Sequence, residues 1–417
     1  MSDSAPGFAE ADFGVSLLDW ITGEGVKTQS IAHLIASYCA FLNDHGFAIR
    51  RCNLATATVH PMMVNSRHVW LDAPGDPGAI NPAVIVARRQ YHLGGAMIDE
   101  VHFNSRSETN PQYVVSPFYQ VERVGELYEP ILTAGSIQPF PVFDDLARIG
   151  CTAYFAVRLN SFAGLNQRFG LATDLAGGFD ERRRNALRAS IRLLTLHLNT
   201  LVERDVKQTL ALVYIGQDPG HRVCAGMIRP GQVVSLDAAI WFSDIRGFTA
   251  TSEGLEPQAL VERLNAYFEV ISAAIYGAGG EILKYIGDAV LAIFPVGDGD
   301  AKAACAAALA ALRDGRARLA ALNDAFASRG ELPIAHGVGL HVGTASYGNI
   351  GGRERLDFTV IGRAVNLASR IESMCKTLDA DALCSDDFAT AAAIDEPALG
   401  KFDLKGVSGQ VAIHGIG

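Results

Sequence analysis

The period of the hydrophobic positions changes along the chain, and the changes separate three regions. From about residue 12 to 180, short runs of strand character (Ala83 to Ala87, Tyr154 to Leu159) stand beside a helical stretch, Ser30 to Leu42, with a turn-rich segment from Leu71 to Pro82 between. Short elements of both kinds predict an α+β domain. From Asp180 to about Val213, apolar side chains recur at Leu187, Ile191, Leu194, Leu198 and Leu201, the three-to-four spacing of one helical stripe. Such a stripe either docks on its own domain or forms the seam of a parallel dimer. Residues 216–231 bring Pro219, Gly220, Pro230 and further glycines, the composition of a hinge. From Val234 onward the pattern is βααβ-rich. It has the strand AAIWFSDI, the helix PQALVERLNAYFEVISAAIYGAG, the hairpin GEILKYIGDAVLAIF, an alanine-rich helix, the strand IAHGVGLHVG, then FTVIG and a helix from about Arg363. The organisation expected is an α+β domain over 12–215 ending in a long helix, a linker over 216–233 and a second α+β domain over 234–417.

Composition narrows the setting. The longest apolar stretches are interrupted by charge; the alanine-rich run Ala301 to Ala321, for instance, carries Lys302, Arg313, Asp314, Arg316 and Arg318, so it predicts an amphipathic surface helix and no membrane span. The first residues, MSDSAPGFAEADFG, lack the basic and apolar pattern of a signal peptide, and a cytoplasmic location is expected. Cys39, Cys52, Cys151, Cys224, Cys305, Cys375 and Cys384 are scattered, with no C-x-x-C pair, and predict reduced thiols. A formal charge of −10 argues against a nucleic-acid partner, which needs basic surface to neutralise phosphates. Any phosphate chemistry in this chain must therefore be local, resting on a few selected cations and on carboxylates that hold metal ions.

Three strings carry such chemistry. Trp241 to Thr249 (WFSDIRGFT) is an apolar strand ending in the carboxylate of Asp244, and Gly279 to Val290 (GGEILKYIGDAV) is two apolar strands joined at Gly287-Asp288. Either aspartate alone could cap a helix or close a turn. Together, two strand-end carboxylates can clamp a pair of divalent ions about 3.5–4 Å apart, the arrangement that activates a hydroxyl and neutralises a departing polyphosphate. The third string, Phe358 to Arg370 (FTVIGRAVNLASR), puts Asn366 and Arg370 four apart on one helical face. An amide and a guanidinium there suit a ribose oxygen and a phosphate.

In this order, the three strings resemble the class III adenylate and guanylate cyclase family, most of all its bacterial adenylate cyclases, from about Ser235 to Val411. The resemblance implies a catalytic domain with a βαββαβ-type sheet and helices, pairing head to tail as a homodimer with sites in the shared groove. It implies two Mg²⁺ or Mn²⁺ ions per site on Asp244, Asp288 and the Ile245 carbonyl of one subunit. Lys284 and Thr359 would recognise adenine, with Asn366 orienting the ribose and Arg370 stabilising charge on the α-phosphate. Lys405 matches a lysine that contacts the outer phosphates. Arg355 matches an arginine ahead of the base-recognition strand, with Arg353 as its competitor. Guanylate cyclases carry Glu at the position of Lys284 and usually Cys at that of Thr359, so Lys284 favours ATP. Arg363 departs from the Asp common in bacterial members and bears on local helix capping.

The implied activity is ATP to 3′,5′-cyclic AMP and pyrophosphate; guanylate cyclase and a nucleotide-binding pseudoenzyme are the alternatives. Gly337 to Gly343 lacks the spacing of a phosphate loop and predicts a core strand, with His341 structural. The N-terminal region holds His33, His45, His60, His68, His92, His102 and His197 without metal-ligand spacing. It resembles small-ligand sensor domains of the GAF type at the level of fold alone, so its expected partner is an unidentified small-molecule or protein regulator.

Overall fold

A computed structural model describes residues 10–76, 84–104, 111–161, 164–297, 300–352 and 354–417. The chain divides into two units, Met1–Leu210 and Ala211–Gly417.

The first unit runs α1 (Glu10–Trp20), a π-helical turn, α2 (Ile31–Asp44), β1 (Ile49–Ala57), β2 (Asn65–Leu71), β3 (Ile85–Leu93), β4 (Ala96–Phe103), α3 (Pro111–Val114), α4 (Pro117–Val124), β5 (Glu126–Pro130), α5 (Val142–Arg148), β6 (Ala153–Leu159), β7 (Gln167–Thr173) and the long α6 (Glu181–Ile215), whose residues from Ala211 on belong to the second unit. Ser30 starts α2 because its hydroxyl accepts the His33 N–H, one of the orphan donors of a first turn. Ala83, expected to open a strand, lies outside the described residues, as do residues 77–82 of the turn-rich segment; the run continues as β3. The seven strands form an antiparallel sheet in the order β3-β4-β2-β1-β7-β6-β5.

Alternation with period two builds two cores from this sheet. Leu54, Ile98, Phe155, Phe169 and Leu171 face α1, α2 and α6, whereas Tyr154, Ala156 and Ala172 face α4 and α5. The stripe Leu187, Ile191, Leu194, Leu198 and Leu201 is buried entirely in the first of these cores. Of the two outcomes open to it, docking on the parent domain is the one realised, since a stripe already covered has no apolar surface left for a seam.

The second unit runs α7 (Gln217–Cys224), β8 (Val233–Ile245), α8 (Phe248–Glu253), α9 (Pro257–Gly277), β9 (Glu281–Ile286), β10 (Ala289–Pro295), α10 (Ala301–Ser328), β11 (His336–Gly351), β12 (Leu356–Ile361), α11 (Arg363–Met374), β13 (Ala382–Ser385), α12 (Asp386–Ala391), β14 (Gly400–Asp403) and β15 (Gln410–Gly415). Its sheet has the order β14-β15-β13-β11-β8-β10-β9, and β12 pairs with the far end of β11. Trp241, Val290, Phe294, Val338 and Leu340 face α9 and α10. Ile240, Leu291, Ile293, Tyr347 and Val360 face Ala364 and Ala368 of α11. The glycine-rich string is a core strand, as expected, and the reason is helix approach. A Cβ on Gly339 would stand 2.3 Å from the Ala368 carbonyl oxygen, so only glycine lets α11 lie this close. His341 is structural, its Nδ1 2.7 Å from the Ser385 hydroxyl.

The segment expected as a linker carries α7 and joins the packing of the second unit. Val223 and Met227 pack on the cluster around Leu283 and Tyr347. The Asp218 N–H donates to the Glu281 carboxylate at 2.6 Å, and the Asn349 amide donates to the Met227 carbonyl at 2.6 Å. Apolar side chains spaced along 215–227 need cover, and this outweighs the flexibility that the prolines and glycines suggest. Among the described residues no helix is long and apolar enough to cross a membrane.

Candidate active site

The site begins where the central strand β8 runs out. Asp244 is its penultimate residue, opposite Gly337 of β11, and Val290 of β10 lies opposite Ser243. That register brings the Gly287-Asp288 turn of the β9–β10 hairpin to the level of Asp244. Gly287 has φ 67°, the left-handed conformation a tight turn demands here. The two aspartates therefore meet across adjacent strands, as their spacing predicts. The Asp244 carboxyl is pushed up to about 6, first by burial and then by its hydrogen bond to Asp288 and the charge of Asp288, while the Ile245 N–H, 3.1 Å from Oδ1, opposes the shift. Two carboxylates brought together at a strand end are the donor type that a divalent cation takes.

Glu372 of α11 joins this field and was missed by sequence reasoning. Its carboxyl is pushed up to about 7, first by burial and then by the charge of Asp244, with Arg246 opposing and Asp288 adding to the rise. The signal was present: Glu372 follows Ala368 by four and precedes Cys375 by three, both buried, so an acidic residue stands beside the buried stripe of a helix. Arg246 does not discharge the cluster, because its guanidinium donates to the carbonyls of Cys375, at 3.4 Å, and Ala380. Among the described residues no group of three histidine, cysteine or acidic side chains is placed to hold a metal ion; the donors available here are the Asp244–Asp288 pair and backbone carbonyls.

A second cluster lies on the outer strands. Lys284 of β9 and Asp357 of β12 form an ion pair, each half-exposed. They line a groove of about 590 Å³ together with Arg355, Asn349, Tyr276 and Tyr285. The structure thus brings Lys284 and Arg355 together and adds Asp357, which sequence reasoning overlooked. Its signal was its place two residues before Thr359, on the same face of the strand. Thr359 is half-buried, opposite Gly348 of β11. Arg353, the competitor of Arg355, lies outside the described residues.

The remaining expected site residues do not join either cluster within one chain. Asn366 and Arg370 sit on the exposed side of α11, opposite the buried Ala364, Leu367, Ala368 and Ile371, and neither side chain has a partner among the described residues. Arg363 opens this helix after Gly362, which supplies no side-chain cap. Lys405 is exposed in the turn between β14 and β15.

Residues 234–381 match the adenylate and guanylate cyclase catalytic domain, and this part of the chain belongs to the class III cyclase family. An adenylate cyclase of Anabaena cylindrica is 36% identical over 192 residues, which is 45% of this chain and 36% of that protein. The chain spans 7–36% of the length of the first three curated relatives it matches. Among solved structures, an adenylyl cyclase from P. aeruginosa is 32% identical, with 44% of this chain and 94% of that chain covered and a TM-score of 0.40. A guanylyl cyclase is 31% identical, with 44% and 92% covered and a TM-score of 0.39.

Proposed function

We propose that the protein is an adenylate cyclase that converts ATP to 3′,5′-cyclic AMP and pyrophosphate at sites shared between two copies of the chain. The observation that carries this reading is the meeting of Asp244 and Asp288, where burial first and then the hydrogen bond and charge of Asp288 lift the Asp244 carboxyl, a pairing that a cation would stabilise. Asp244, Asp288 and the Ile245 carbonyl would hold the two Mg²⁺ or Mn²⁺ ions of the family. When bound, these ions lower the pKa of the ribose 3′-hydroxyl and offset the charge of the pyrophosphate leaving group. The chain's own residues do the rest. Lys284 presents a donor, and the Asp357 carboxylate beside it an acceptor, which together match adenine's N1 acceptor and amine donor; Thr359 stands on the same face of the strand. Guanine reverses that demand. Asn366 orients the ribose and Arg370 stabilises charge on the α-phosphate as the 3′-oxygen attacks in line; Lys405 engages the outer phosphates, and Arg355 binds substrate from the groove it shares with Lys284. The exposed face of α11 favours a second copy as the recipient of Asn366 and Arg370. The N-terminal unit is read as the regulatory part of a cytoplasmic enzyme.

The test gives the purified full chain ATP and GTP in competition, with Mg²⁺ and with Mn²⁺. Cyclic AMP should dominate the product, and Asp244→Ala or Asp288→Ala should abolish it. A folded protein that makes no cyclic nucleotide with either metal would overturn the reading, and a cyclic GMP product would overturn its base recognition.

A further inference from the structure

The first unit holds a cavity of about 170 Å³ between its sheet and the helices α2 and α6. The strand registers build its floor. Thr56 of β1 is opposite Ser66 of β2, Ser66 is opposite His102 of β4, and His68 is opposite Glu100, so these side chains share one face. Farther along, the same face carries Leu54, Trp70 and Ile98 into the hydrophobic core. The polar group interrupts an apolar face, which is costly unless its members find partners.

Within the protein they find too few. His102 Nε2 lies 3.0 Å from Glu100 Oε1, and since a carboxylate only accepts, that nitrogen donates and leaves Nδ1 an acceptor. His68 Nε2 is 3.8 Å from the same oxygen, and burial holds this imidazole down at about 4 and therefore neutral. Both Nδ1 atoms and the Thr56 hydroxyl are buried without a hydrogen-bond partner among the described residues. Glu100 is held below its ordinary value, first by the His102 hydrogen bond, and stays ionised. A second carboxylate, Asp205, lies at the wall, paired with Arg204 at 3.0 Å, and no lysine or arginine lines the cavity itself. The site joins the ionised Glu100 carboxylate to unsatisfied ring nitrogens and a hydroxyl, with no basic side chain on its lining.

We propose that this cavity binds a small organic cation, a protonated amine on a group about the size of one six-membered ring, since a cavity of about 150 Å³ accommodates benzene. The ammonium supplies the missing donors and the opposite charge to Glu100, and Val202 and Val206 of α6 cover the apolar part. Two imidazoles around a carboxylate also invite a metal, but the arrangement is not one that could hold an ion.

Three probes of one shape separate the terms: benzylamine, benzyl alcohol and benzoate, titrated into the full chain by calorimetry and ligand-observed NMR. Benzylamine should bind, benzyl alcohol about 10-fold more weakly and benzoate not at all, as a charge-assisted contact requires. Glu100→Gln should weaken benzylamine about 10-fold and leave benzyl alcohol unchanged. Val206→Phe, which fills the cavity from α6, should remove binding of both. Equal binding of the three probes, no binding of benzylamine, or benzylamine binding retained in Val206→Phe overturns the proposal. If Glu100→Gln does not fold, the probe comparison and Val206→Phe still decide. All readouts are of binding, so they stand or fall independently of the cyclase assignment.

Discussion

Replacing Asp288 by asparagine should make the metal-free protein more stable while destroying its activity. The Asp244 carboxyl is raised from 3.8 to about 6, which at about 1.4 kcal/mol per pKa unit is about 3 kcal/mol. Burial is the larger cause, and Asp244 is only half-buried, so water screens the pair; the share removed with the Asp288 charge is about 1 kcal/mol. The sign follows from linkage. A carboxyl raised in the folded state binds its proton more tightly there than in the unfolded chain, so its contribution is full below the ordinary 3.8 and lost as pH rises through about 6. At pH 8 the wild-type protein holds the charges of Asp244, Asp288 and Glu372 in one field, and the variant removes one of them. Calorimetry in a chelator at pH 8 should show the variant melting about 2–4 °C higher. At pH 5, where Asp244 is protonated, the gain should vanish. Asn is accepted in a tight turn, so misfolding is not the expected outcome. A variant no more stable at pH 8, or stabilised equally at both pH values, would refute the claim that the two carboxylates repel one another.

Three further outcomes are expected. Lys284→Glu with Thr359→Cys should move nucleotide preference toward GTP in a competition assay, and unchanged ATP selectivity would place base recognition elsewhere. Asp244→Ala and Arg370→Ala should each be nearly inactive alone, yet mixing the two should restore up to about a quarter of wild-type activity, because one site in each heterodimer is then intact; no restoration would count against shared sites. Gly339→Ala should cost about 1–3 kcal/mol in thermal melts, since its Cβ would press on the Ala368 carbonyl and displace α11.

Much of the site was legible because its residues lie in short strings whose local geometry is dictated by period. Asp244 and Asp288 each end an apolar strand, and Asn366 and Arg370 share a helical face by spacing alone. Asp357 and Glu372 escaped notice for one reason: each acts on a residue distant in sequence, Lys284 or Asp244, and only strand order and helix packing make them neighbours. The same holds for Thr56, Ser66, His68, Glu100 and His102, whose pairing is a matter of register between three strands.

The amino-acid pattern alone determined the α+β character of both halves, the long helix with its apolar stripe, the core strand at Gly337 to Gly343 and the two strand-end carboxylates. These depend on periodicity and on turn chemistry, which are local. The tertiary structure decided where the stripe of α6 goes, that residues 216–233 pack on the second unit, and that Asp244 and Asp288 meet strongly enough to lift a carboxyl. Burial and the approach of like charges are properties of neighbours in space, and a linear order of residues does not contain them.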